Sequence, residues 1–378
     1  MIQLYRFFTC PMSSPENKKL VIACGGTGGH LFPGIAVAEA WTKAGGEVLL
    51  LISEKQIDAL ASQGYDHLRF EKMPAIAMPP LFSPKMVTFL TRFVKAMFEC
   101  RRLFKRFGAE AVLGMGGFTS TAPLVAGKQL GLPTFIHESN SIPGRANRLN
   151  AKFSHMVLVG FEVCAAHFCG AITKVVGTPI RPSITNRPSR KEAASFFGLD
   201  PKKPTALVMG GSQGAQRINE MAAGGLRQYE VAGIQILHIS GPTDYETLKP
   251  AYDRGFGGGI LRGFLDEVQY ALGIADLAIC RSGASSLTEL SFYEIPSVLI
   301  PYPYSAEDHQ LHNAEIFSKP GAAELWHQAD LSEDTFAGKV VSLIKNKERL
   351  KQMQEEMAKL AVADASNRVC EVISSTLA

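Results

Sequence analysis

No CxxC pair occurs in this chain, and its seven cysteines are an odd number scattered from Cys10 to Cys370. That spacing speaks against a disulfide framework or a structural zinc site and fits a reducing compartment. No apolar run reaches the roughly 20 residues that a membrane span needs, so membrane contact is expected only from outside the bilayer. The opening MIQLYRFFTCPMSSPEN has a short apolar patch but no sustained h-region. Residues 1–17 are expected to form a disordered extension rather than a signal peptide, with Met1 or Met12 as the start. Net charge is only +4 over 378 residues, which gives no argument for a nucleic-acid partner.

The length is too great for one ordinary core and suits two α/β domains. Lys19-Leu-Val-Ile-Ala-Cys24 reads as a strand running into GGTGGH at 25–30, then a helix from about Gly34 to Ala44 with Pro33 in its first turn. The pattern recurs at Thr205-Ala-Leu-Val-Met209, which runs into GGSQGA at 210–215. Further apolar strands follow each start: EVLLLIS, EAVLGMG, PTFIHE, MVLVG and TKVVG, then GIQILHIS, GGILRGF, DLAICRSG and PSVLIPYP. Alternation of such strands with helices predicts parallel sheets covered on both faces. The expected fold class is α/β, with two Rossmann-like domains facing a cleft. Residues 18–181 form the first domain, 182–190 a linker and 191–363 the second. A helix at 364–378 is expected to pack back on the first.

Glycine-rich loops between strand and helix suit phosphate, because the first helical N–H groups are unpaired and the dipole is positive there. GGTGGH, GMGGFTS at 114–120 and GGSQGA are three such loops. One alone is as readily a tight turn; three point to a phosphorylated ligand at the strand ends. Around RSGASSLTEL at 281–290, Ser286-Leu-Thr-Glu289 matches a capping box, and on spacing alone that is the preferred role of Glu289. The functional alternative is a carboxylate accepting both ribose hydroxyls. His30 follows paired glycines at a helix start, where the dipole favours a neutral imidazole able to act as a base. A histidine bonded only to local backbone is the bland alternative. His137 and Glu138 end another strand as base, orienting group or structural pair.

In order, GGTGGHLFPGIAVA, GMGGFTSTAP, HESNSIPGRANR, VGTPIR, GGSQGAQRIN, RSGASSLTEL and DHQLHNAE resemble the MurG family of peptidoglycan N-acetylglucosaminyltransferases, from about Lys18 onward. The resemblance implies a GT-B fold and transfer of GlcNAc from UDP-GlcNAc to the MurNAc 4-hydroxyl of undecaprenyl-linked lipid I, giving lipid II. It implies donor contacts at Thr27, Gly28, Gly29, Asn140, Arg181, Ser212, Leu265, Ala284, Ser285, Ser286, Leu287, Thr288, Glu289 and Gln310. Acceptor contacts fall on Gly116, Gly117, Phe118 and Thr119. His30 is the first choice of base and Glu138 the second. No DxD-like pair stands in a matching loop, so neither metal nor other cofactor is expected. The chain departs from the family at Phe118, where Tyr is common, at Ser139, where Gln is common, and at His309-Gln310, where the family has Gln-Gln. A sugar-nucleotide epimerase of the same architecture and a nicotinamide-dependent oxidoreductase with Glu54 as its ribose acid are the competing classes; a non-enzymatic lipid carrier or binding module is a third, disfavoured by the number of phosphate loops.

Residues 78–108 contain an amphipathic stretch rich in Lys and Arg, with Glu99 its lone acid. The lipid-anchored acceptor implies docking on an anionic membrane, at the cytoplasmic face of the bacterial cell membrane. Lys85, Arg92 and Lys95 would supply charge there, and Leu81, Phe82 and Met86 shallow insertion. Other cell-wall synthesis proteins are further expected partners.

Overall fold

The computed structural model describes residues 14–25, 28–53, 64–74, 83–210, 215–254 and 259–378. Among them the strands form two fully parallel sheets. The first contains β1 (Lys19–Ala23), β2 (Glu47–Ser53), β3 (Arg69–Met73), β4 (Ala111–Gly114), β5 (Thr134–Glu138), β6 (Met156–Val159) and β7 (Thr173–Val175). Its order is β3-β2-β1-β4-β5-β6-β7. The second contains β8 (Thr205–Met209), β9 (Gln235–Ile239), β10 (Gly259–Arg262), β11 (Leu277–Cys280), β12 (Ser297–Leu299) and β13 (Ala323–Leu325), in the order β10-β9-β8-β11-β12-β13.

Both faces of each sheet are covered, which explains the continuous apolar strands. Side chains alternate along a strand. Leu20 and Ile22 therefore join Leu31, Ile35 and Trp41 on one face, while Val21 and Ala23 join Leu51, Phe104 and Leu124 on the other. In the second sheet Leu207 and Met209 pack with Leu287 and Phe317, and Ala206 and Val208 with Ile218 and Phe336. The final helix, Ala365–Thr376, buries Val369 and Ile373 against the first domain's core. The chain there passes so close to Gly177 that a Cβ on that glycine would lie 2.6 Å from Val362, and its φ of +82° also disfavours other residues.

Strand order reverses between β1 and β4 and between β8 and β11. Crevices open at the carboxyl ends of strands at such switch points, and every glycine-rich loop noted in the sequence leaves one of these four strands. Two details differ from expectation. The first helix begins at Gly28 and runs to Lys43, so Pro33 lies in its second turn and leaves the Gly29 carbonyl without its usual donor. The stretch 182–190 is not a plain linker: Pro182–Thr185 forms one helical turn, and Ser189 caps the helix Arg190–Phe197 with Glu192.

Candidate active site

His30 is the third residue of the helix Gly28–Lys43, at the end of β1. Its ring lies against the loop after β4. A Cβ on Gly116 would be 2.9 Å from His30 Nε2, and one on Gly117 would be 3.3 Å from Cε1. These glycines, with φ of +119° and +70°, thus make room for the imidazole. The loop is fixed from three sides. Asn147 Oδ1 accepts from the Gly117 N–H at 3.1 Å, Asn150 Nδ2 donates to the Gly117 carbonyl at 3.0 Å, and the Thr119 hydroxyl donates to the Gly25 carbonyl at 2.8 Å. The sequence drew attention to Gly116, Gly117 and Thr119 but not to Asn147 and Asn150. Phe118 leaves the loop the other way and packs on Phe89 and Phe93, with ring centroids 5.5 and 6.2 Å apart.

Glu138 does not fit as an alternative base. It is buried, and both carboxylate oxygens are occupied. Oε1 accepts from the N–H and Nδ2 of Asn140 at 2.9 and 3.0 Å, and Oε2 from Asn147 Nδ2 and the Gly144 N–H at 2.8 and 3.2 Å. Burial raises its pKa and the four donors oppose that rise. This carboxylate folds the loop 138–144 and lies behind the cleft wall. His137 is likewise structural. Its Nε2–H donates to the Gly177 carbonyl at 2.9 Å, and Nδ1 accepts from the Ser139 hydroxyl at 3.3 Å. Burial pushes its pKa down to about 4.

His238 in the second domain is also buried, with a pKa pushed down to about 3. Both imidazoles are neutral when folded, whereas unfolded histidine takes a proton near pH 6.5. The unfolded state therefore binds more protons as pH falls below about 6.5, and stability falls with it. Each histidine is expected to cost on the order of 3 kcal/mol by pH 4. Melting curves between pH 7.5 and 4.5 check this: an unchanged Tm contradicts it, and His238→Gln should flatten the slope.

On the opposite wall, the helix Ala284–Phe292 starts after Gly283 with no side-chain cap. Its first N–H groups open on the cleft, as an anion site requires. Ser286 and Glu289 do not form a capping box, because the helix begins two residues before Ser286 and Glu289 lies in its second turn. Glu289 instead holds Arg181: Oε1 accepts from Arg181 Nε and Nη2 at 3.2 and 3.0 Å. The guanidinium also stacks 4.3 Å above Phe32.

The cleft between the domains encloses about 370 Å³ and is lined by Gly28, Gly29, His30, Phe32, Asn140, Arg181, Leu265, Ala284, Ser285, Ser286 and Glu289. Leu287 and Thr288 are turned away by helical periodicity: Leu287 is in the core, and the Thr288 hydroxyl donates to the Ala284 carbonyl at 2.9 Å. Gln310 is not on the cleft wall; its Oε1 accepts from the Tyr302 N–H at 2.9 Å. Phe264, 58% exposed, faces the cleft and was missed in the sequence, where a lone Phe beside Leu265 has no distinguishing pattern. Thr27, Ser212, Leu81, Phe82 and Glu54 lie outside the described residues.

The basic helix spans Lys85–Phe107. Ala96, Cys100, Leu103, Phe104 and Phe107 are its buried side. Val87, Leu90, Val94 and Phe98, spaced by three and four residues, are 44–69% exposed. Lys85, Arg92 and Lys95 are exposed on the same helix, while Met86 is half-buried. Among the described residues the outward apolar stripe of this helix is this set of four; of the residues expected to insert, Leu81 and Phe82 lie outside the described residues.

Two doubly wound domains with their strand ends facing one cleft define a GT-B glycosyltransferase. Residues 20–159 match the Glycosyltransferase family 28 N-terminal domain and residues 205–369 the family's C-terminal domain. A UDP-N-acetylglucosamine--N-acetylmuramyl-(pentapeptide) pyrophosphoryl-undecaprenol N-acetylglucosamine transferase from Halothermothrix orenii is 33% identical over 95% of this chain and 99% of its own. The enzyme of the same name from Geobacter sulfurreducens is 35% identical over the same shares. The crystal structure of Acinetobacter baumannii MurG superposes with a TM-score of 0.74 at 26% identity, covering 95% of this chain and 99% of that one. The chain belongs to the MurG family of glycosyltransferases. With the family established, the epimerase and nicotinamide-enzyme alternatives fall away.

Proposed function

We propose that this enzyme moves GlcNAc from UDP-GlcNAc to the MurNAc 4-hydroxyl of undecaprenyl-pyrophosphoryl-MurNAc-pentapeptide, with inversion at the anomeric carbon. The observation that carries this is the pairing of His30 on one cleft wall with an uncapped helix start and Glu289 on the other. His30 takes the proton as the 4-hydroxyl oxygen attacks the anomeric carbon from the face opposite UDP. The new C–O bond forms as the bond to the UDP phosphate oxygen breaks, and UDP leaves with that electron pair. Helix-start N–H groups at Ala284 and Ser285 stabilise the growing phosphate charge; preorganised donors of this kind lower a barrier by about 3 kcal/mol each. Glu289 accepts from the ribose hydroxyls with Oε2, which has no hydrogen bond among the described residues. Phe264 and Leu265 supply apolar surface for the uracil. Transfer of labelled GlcNAc to a lipid I analogue, with the linkage determined, tests the reading. Absence of a β-linked disaccharide product rejects it.

The acceptor's lipid anchor requires the enzyme to work at a membrane surface, which we place at the helix Lys85–Phe107 and the cytoplasmic face. Each nearby basic side chain is attracted to anionic lipid by about 1 kcal/mol. The exposed Val87, Leu90, Val94 and Phe98 add apolar area for shallow insertion. Replacing Lys85, Arg92 and Lys95 together with Glu is expected to weaken binding to anionic vesicles at low salt at least tenfold, with UDP affinity unchanged. Cosedimentation checks it, and equal binding by both proteins excludes this surface.

A further inference from the structure

Asn313 belongs to the DHQLHNAE motif, but no role falls to it in donor or acceptor binding. It sits in the helix His309–Ser318 of the second domain and is fully buried. Its amide makes four hydrogen bonds. Oδ1 accepts from the Ser141 N–H at 2.9 Å and from the Ser141 hydroxyl at 2.8 Å. Nδ2 donates to Asn140 Oδ1 at 3.0 Å and to the Ser282 carbonyl at 3.1 Å. Two acceptor and two donor positions are all that a carboxamide has, so the group is saturated. Three of the four bonds cross to the first domain.

We infer that Asn313 is the positioning residue that fixes the spacing of the two cleft walls during glycosyl transfer. On one side it holds Asn140, whose N–H and Nδ2 both bond Glu138, the carboxylate that folds the loop 138–144. On the other it holds Ser282, one residue before the helix start at Gly283. Ser282 also donates its hydroxyl to the Gln310 carbonyl at 2.6 Å. A buried, fully satisfied network of this kind has one low-energy geometry, because any shift of one wall leaves polar groups unpaired. The shielded Arg181–Glu289 pair also crosses between the domains, at 3.0 Å, but it stands within the donor side of the cleft and leaves the loop 138–144 untouched. The Arg145 and Arg148 ion pairs with Glu307 cross at 3.4 and 2.6 Å and lie exposed at the rim. Pairs of that kind contribute little.

This inference rests on the proposed transfer reaction but can be tested apart from it. Asn313→Asp keeps the shape and places an oxygen against two acceptors, Asn140 Oδ1 and the Ser282 carbonyl. It is expected to lower kcat about 10²-fold, the cost of an ångström-scale misplacement, while UDP affinity by calorimetry stays within about threefold, because the UDP wall lies within one domain. Ser141→Ala removes one bond of the four and should lower kcat about threefold without threatening the fold. Glu307→Gln should leave kcat unchanged. Hydrogen exchange gives the readout that needs no activity: the Ser141 amide should be protected in the wild type and at least tenfold less so in Asn313→Asp. Wild-type kcat in both Asn313→Asp and Ser141→Ala, or unchanged Ser141 protection in Asn313→Asp, overturns the inference. An inactive wild type rejects the transfer reading instead, and the exchange result still decides the role of Asn313.

Discussion

His30→Ala is expected to lower turnover by about 10²–10⁴-fold, the usual effect of losing a general base, with UDP affinity nearly unchanged. The imidazole is built into the first-domain wall, against the backbone of Gly116 and Gly117. The helix start that would receive the UDP phosphates belongs to the other wall. Loss of the ring therefore removes a group from the attacking side and none from the leaving side. His30→Gln separates proton transfer from space-filling, since it keeps a polar side chain of similar reach that cannot accept a proton near neutral pH. Both variants should lose turnover alike. Single-turnover transfer to a lipid I analogue between pH 6 and 9 is the measurement. Near-normal turnover across that range in His30→Ala would sink the assignment. Glu138 would not inherit the role, because three of its hydrogen bonds fold the loop 138–144 and the fourth holds Asn147.

Strand positions were legible wherever a strand is buried on both faces, because its run stays largely apolar even where a buried His137 or His238 interrupts it. β3 and β13 were not. RFEKM and AEL are edge strands with polar or half-exposed positions, and such edges are not marked by continuous apolar runs. Loops at the switch points were legible from glycine, and His30 from its place after Gly28-Gly29. What glycine and spacing could not tell was direction. Glu138 ends β5 and His30 follows β1, yet one faces inward to four donors and the other lies on the cleft. Leu287 and Thr288 share a motif with Glu289 but lie on the other side of one helix turn. Asn147, Asn150 and Asn313 pass for ordinary helix residues; only tertiary hydrogen bonds reveal them. The apolar stripe from Val87 to Phe98 needed knowledge of which helix face the sheet covers.

Glu289→Ala should weaken UDP binding by about 1.5–3 kcal/mol, roughly 10- to 150-fold, through loss of a charge-assisted acceptor for the ribose hydroxyls. Two effects of the substitution have to be separated. Glu289 also pairs with Arg181 at 3.0 Å, and both side chains are largely shielded from water. Removing the carboxylate leaves that guanidinium stacked on Phe32, 4.3 Å away, without an ion-pair partner among the described residues, and an uncompensated charge costs stability. No helix-capping loss is expected beside it, since Glu289 lies a full turn inside the helix. Melting of the ligand-free protein reports the broken ion pair, and calorimetry with UDP reports the ligand contact. The cycle of Arg181→Ala, Glu289→Ala and the double variant then assigns the loss. If Glu289 touches the ribose, its removal weakens UDP binding at least tenfold even where Arg181 is already alanine, because Oε2 acts without the guanidinium. If Glu289 only orients Arg181, the double variant binds UDP no worse than Arg181→Ala alone, and the ribose contact is lost as an explanation.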